Sequence, residues 1–163
     1  MKTHRLWDIF CTVIDNHGDL GVCWRLTRQL LAQGQSVRLW VDDASALSWM
    51  APEAQTLAHL QVLPWSDASQ SEVLRSLRPA HVWIEAFGCT LPEAFVAHFV
   101  KRAVATRQQQ PAWINLEYLS AEDWVPRMHK MPSPVMSGTA KGWTKTFFSV
   151  SYTHLTLPTI CSV

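Results

Sequence analysis

Between residue 7 and about residue 128, short runs rich in β-branched and aromatic residues alternate with stretches patterned for helix. No other feature narrows the available folds as much. Strands that alternate with helices pair in parallel through crossovers, so the pattern predicts an α/β fold with a doubly wound parallel sheet. Strands are expected over residues 7–14, 36–41, 60–65, 81–87 and 112–116. The first helix, near 20–33, carries Val22, Leu26 and Leu30 at four-residue spacing, with Gly34 as its stop. Further helices are expected near 47–50, 69–77 and 121–127, and over 92–106, where Pro92 and Glu93 supply a favoured first turn. From Met131 the pattern fades into Pro132-Ser133-Pro134, Gly138 and Gly142, which reads as a linker over 131–148 after a domain of 1–130.

A chain of 163 residues suffices for one domain with a real core. Its 48% apolar content and net charge of +1 suit a globular protein and offer no basic signature for nucleic acid. No apolar run approaches the ~20 residues of a membrane span, and the N-terminus lacks a signal peptide's long apolar stretch, so a cytoplasmic protein without membrane partners is expected. Cys11, Cys23, Cys89 and Cys161 show no Cys-x-x-Cys spacing and sit mostly in apolar runs, as buried thiols do. The seven histidines form no zinc motif.

The chemistry concentrates in Asp15-Asn16-His17-Gly18-Asp19-Leu20-Gly21, an abrupt turn between the first strand and the first helix. Ligands of open α/β sheets bind at such strand ends. Two carboxylates four residues apart, beside glycines that let a substrate approach the backbone, suit acid/base or cation-orienting work, although Asp19 could equally serve only as a helix cap. A parallel sheet would bring to the same edge Asp42 and Asp43 after the second strand, Glu85 near the end of the fourth, and Glu117 with Tyr118 after the fifth. That edge is acidic and lacks a Gly-x-Gly-x-x-Gly turn, which disfavours phosphate binding there and favours a cationic acceptor or a metal.

Four blocks occur in order: Trp7-Asp8-Ile9-Phe10-Cys11 running into the turn and on to Leu26; Val37-Arg38-Leu39-Trp40-Val41-Asp42-Asp43; Ile84-Glu85-Ala86-Phe87-Gly88-Cys89; and the segment from Trp113 to Trp124. Together they resemble the N-terminal part of the EarP family, protein-arginine rhamnosyltransferases that modify bacterial elongation factor P. The resemblance implies the N-terminal, acceptor-side domain of a GT-B glycosyltransferase, whose two Rossmann-like domains enclose the active site. It implies transfer of L-rhamnose from dTDP-β-L-rhamnose to an arginine with inversion, needing no metal and no cofactor beyond that donor. The family's two aspartates fall on Asp19, as general base, and Asp15, as the orienting carboxylate. His17, Gly18, Gly21, Glu85, Glu117 and Tyr118 are the expected substrate-binding residues. His17 stands where most members are expected to carry phenylalanine.

The resemblance also implies a second domain beyond this chain, so the fragment is expected to be inactive. Residues 149–163 read as a non-native tail, because Val150 to Thr159 matches what a transposase sequencing adapter encodes in frame. Two other functions fit an α/β fold with an acidic edge: a nucleotide-dependent oxidoreductase, against which the missing glycine fingerprint argues, and a non-catalytic module docking a basic protein surface.

Overall fold

The segment Ser36–Val41 is buried along its whole length, because it lies inside a sheet with a parallel neighbour on either side. The computed structural model describes residues 4–13, 18–117 and 125–149. Among these, seven strands form one sheet: β1 (Leu6–Cys11), β2 (Ser36–Val41), β3 (Leu60–Pro64), β4 (Val82–Ala86), β5 (Ala112–Glu117), β6 (Pro132–Pro134) and β7 (Thr144–Ser149). Their order is β3-β2-β1-β4-β5-β7-β6, all parallel except β6 against β7. The 3-2-1-4-5 core of that order is compatible with a Rossmann-like domain.

The helices are α1 (Gly18–Ala32), α2 (Leu47–Met50), α3 (Ser71–Ser76), α4 (Glu93–Thr106) and α5 (Val125–Met128). Side chains alternate along each strand between two cores. On one face, Leu20, Cys23 and Leu30 of α1 pack over Ile9, Leu39 and Ile84. On the other, Phe95, Val96 and Phe99 of α4 pack over Phe10, Trp40 and Trp83. Phe95 meets Phe10 and Trp83 edge-on at centroid distances of 4.9 and 5.2 Å, geometry worth about 0.5–1.5 kcal/mol per pair beyond the buried area. Helix α1 ends where expected: Gly34 takes φ +77° while the Gln35 N–H reaches back to Leu30 O at 3.0 Å, a closure that favours glycine.

The aromatic core also contains a charge pair. Asp8 and Arg38 are register partners on β1 and β2, and Arg38 donates from Nε and Nη2 to the two Asp8 carboxylate oxygens at 2.6 and 2.7 Å. Trp40 Nε1 adds a third bond to Asp8 at 2.8 Å. Burial pushes the Asp8 carboxyl up, while the Arg38 guanidinium and these hydrogen bonds pull against it.

Two sequence expectations change. The first strand stops at Cys11 and leaves Thr12 and Val13 outside the sheet. The stretch from Met131, read as a linker, instead contributes β6 and β7, and β7 extends the parallel sheet beside β5. Proline can occupy β6 because it is an edge strand, where a missing N–H costs little. The Gln110 side-chain amide mimics a strand at the start of β7, donating to Thr144 O at 3.0 Å and accepting from Thr144 N at 3.2 Å. Residues 121–124 of the last expected helix lie outside the described residues, and α5 follows at Val125–Met128.

Candidate functional site at the acidic sheet edge

The parallel strands bring their C-terminal ends to one edge, and Asp19, Asp42, Asp43, Glu85 and Glu117 stand on or just past them. Asp19 is half-buried in the first turn of α1, where the helix dipole favours a carboxylate. Gly18 opens the same turn and is exposed. At Gly21 an added Cβ would meet nothing within 4 Å, so no packing neighbour demands a glycine there. Asp15, His17 and Tyr118 lie outside the described residues.

The acids divide by what they touch. Asp42 braces the exit from β1, accepting from Val13 N at 2.8 Å and from Asp43 N at 2.9 Å. Asp43 Oδ1 accepts from Ser45 N at 2.8 Å and shapes the approach to α2. Glu117 is half-buried and accepts from Asn115 Nδ2 at 2.9 Å.

Glu85 differs most from its expected role. It is buried, its Oε1 accepts from Leu91 N at 3.0 Å, and its Oε2 meets Lys145 Nζ at 2.7 Å. Lys145 in turn lies 4.4 Å from the Trp113 ring centroid, a cation–π contact. Both carboxylate oxygens are thus engaged inside the protein, and Glu85 anchors the loop leading into α4.

Below the edge sit three buried thiols. Burial pushes Cys89 up to about 12, with Glu85 and Glu117 near enough to add to the rise. The neighbouring Cys11, burial and the nearby charge of Asp19 raise Cys23 well above the ordinary thiol range. Cys23 and Cys89 therefore stay protonated near neutral pH, and neither serves as a nucleophile. The charge of Asp19 thus acts on Cys23, and those of Glu85 and Glu117 act on Cys89.

Sequence reasoning missed the backbone here. Phe87 has φ +56° and Gly88 φ +76°, two consecutive left-handed residues that turn the chain so that Cys89 Sγ donates to Phe10 O at 3.3 Å. For a bulky residue such as Phe87 that conformation is strained, and such strain clusters at functional sites. The adjacent Gly-Cys was the only available signal. Cavities of about 460 and 420 Å³ open elsewhere, beside Pro79, His81 and Pro111 and beside Ser36, His59 and Arg78, at the opposite edge of the sheet. Among the described residues no group of His, Cys, Asp and Glu could hold a metal ion, and no helix is long and apolar enough to cross a membrane.

Fold and edge together define an α/β domain whose sheet ends in carboxylates around a glycine turn. Residues 7–160 match the model of the family described as Elongation-Factor P (EF-P) rhamnosyltransferase EarP, and the chain belongs to that family. The match runs past Ser149 into residues expected to be a non-native tail, which lie outside the described residues. The chain is similar to the protein-arginine rhamnosyltransferase of Pseudomonas putida, with 47% identity over 92% of this chain and 38% of the relative. It is also similar to the proteins of the same name from Pseudomonas aeruginosa, at 43% identity, and Shewanella oneidensis, at 40%, each match covering 83% of this chain and 35% of the relative. The chain therefore spans little more than a third of the length of these relatives.

Proposed function

We propose that this chain is the acceptor-side part of an inverting glycosyltransferase that moves L-rhamnose from dTDP-β-L-rhamnose to an arginine of elongation factor P. Membership of the EarP family carries this reading, and the acidic edge supplies chemistry that suits it. An arginine guanidinium has a pKa above ~12 and is a poor nucleophile in water. Carboxylates can receive its fork of N–H groups, hold one nitrogen in line with the anomeric carbon and accept a proton as the C–N bond forms. The bond from that carbon to dTDP breaks in the same step, dTDP leaves, and the configuration inverts. In this reading Asp19 takes the proton and Asp15 orients the guanidinium. His17, Gly18, Gly21, Glu117 and Tyr118 shape the acceptor's approach, while Glu85 acts through the loop it anchors.

The reaction as proposed uses no metal and no covalent enzyme intermediate, in keeping with the Cys23 and Cys89 thiols held protonated below the edge. A second Rossmann-like domain of the GT-B type would bring most donor contacts, and the enzyme would work in the cytoplasm. The oxidoreductase and docking-module alternatives gain nothing from the family match. Asp19→Asn in the full-length protein is expected to abolish transfer to elongation factor P, read as the mass of the acceptor, while leaving dTDP-rhamnose binding within about twofold. Undiminished turnover would remove Asp19 from the role of base.

A further inference from the structure

Away from the acidic edge, the outer surface between α3 and α4 carries a groove of about 630 Å³. Ala94 and Ala97 form part of its floor, and Arg75, His98, Lys101 and Arg102 flank it. The α4 residues recur at helical spacing, so one face of that helix presents small side chains and cations together. No acidic residue lines the groove. Among the described residues, none of Arg75, Lys101 and Arg102 forms an ion pair. The nearest acid on α4, Glu93, is engaged instead by Thr139, whose Oγ1 donates to it at 2.6 Å.

Backbone carbonyls anchor two of the cations. Arg75 Nε donates to Ser71 O at 3.1 Å and Arg102 Nη1 to Leu77 O at 3.0 Å, and each guanidinium keeps further N–H donors. His98 has a buried Nε2 without a hydrogen-bond partner among the described residues. Its imidazole lies below the ordinary histidine value, first through burial and then through the charges of Arg102 and Arg75. The groove therefore gathers Arg75, Lys101 and Arg102 with no carboxylate in its lining, the α3 acid Glu72 standing beside it without an ion pair to any of them among the described residues, in a chain whose net charge is only +1.

We propose that this groove docks an acidic stretch of the acceptor protein, a segment rich in Asp and Glu, while the acidic edge takes that protein's arginine. The inference rests on the proposed reaction, which has a protein as its acceptor. A polypeptide fits better than a lone phosphate, because the cations are spread along two helices above an open floor of small residues. Two surfaces of opposite sign would orient an acceptor carrying a basic tip and an acidic flank, and charge complementarity of this kind sets register and encounter rate.

The test uses the full-length protein that contains this sequence. Octaglutamate and inorganic phosphate serve as separate probes, and the His98 imidazole resonances report binding. Octaglutamate is expected to shift His98 and raise its pKa, with about tenfold weaker binding in Arg75→Glu/Lys101→Glu and in high salt. Phosphate saturating the site at concentrations no higher than the peptide requires, or no His98 response to the peptide, overturns the proposal. The same double variant is expected to raise KM for elongation factor P about tenfold at unchanged kcat, and an unchanged KM also overturns it. Lys101→Gln, at an exposed position, repeats both measurements should the double variant fold poorly. A wild-type protein without rhamnosyl transfer would refute the reaction instead, and binding of elongation factor P to wild type and variant would then judge the groove.

Discussion

Gly21 sits in the first turn of α1 with open space where a side chain would project, yet glycine inside a helix costs about 0.5–1 kcal/mol relative to alanine. A residue that weakens its helix without a packing reason fits a surface that must stay bare for a ligand. Gly21→Ala is therefore expected to stabilise the fold by about 0.5–1 kcal/mol in urea unfolding while lowering kcat/KM of the full-length enzyme. Equal stability and full activity would leave the glycine without a role. Side chains also show where reading the sequence stops. Asp19 stood out because a glycine turn surrounds it, whereas Asp8 did not, being one charge within an apolar run. Only the register of β1 against β2 reveals that Asp8 answers Arg38. Glu85 was legible as an edge acid, but its burial and its bond to Lys145, sixty positions along the chain, depend on a strand that local patterning did not disclose.

Among the elements, those bounded by strong punctuation were legible to the residue. Strand β2 and helix α2 lie where the pattern predicts, because Asp42 and Asp43 break the chain between them and Gly34 closes the helix before β2. Strands β6 and β7 were not legible. One is three residues with two prolines, and four of the six residues of the other are polar, so neither carries a period strong enough to read. Their order comes from what they lie against: Phe148 packs on the α1-side core, and the Gln110 amide brackets Thr144. Within β2, Arg38 makes the strand depend on its neighbour. Arg38→Met would leave the buried Asp8 carboxylate with only the Trp40 N–H, and a loss of about 3–5 kcal/mol is expected in denaturant unfolding. Adding Asp8→Asn should restore part of it, and a purely additive double variant would refute the coupling.

Across the molecule, Lys145 ties the last parallel strand to the middle of the sheet through Glu85 and Trp113. Lys145→Met would keep the length of the side chain but strand a buried carboxylate on the Leu91 N–H alone. A destabilisation of about 1–3 kcal/mol is expected, read as a lowered midpoint in thermal or urea unfolding. An unchanged midpoint would mean that the pair adds nothing to the sheet. The sequence alone determined the alternation of elements, the parallel sheet, the acidic character of its edge and the family, since each rests on local order along the chain: hydrophobic period, punctuation and motif spacing. Only the tertiary structure decided which charges remain available. Burial and pairing are set by neighbours far apart in sequence, and these tie Asp8 to Arg38 and Glu85 to Lys145, while Arg75, Lys101 and Arg102 are left without carboxylate partners among the described residues.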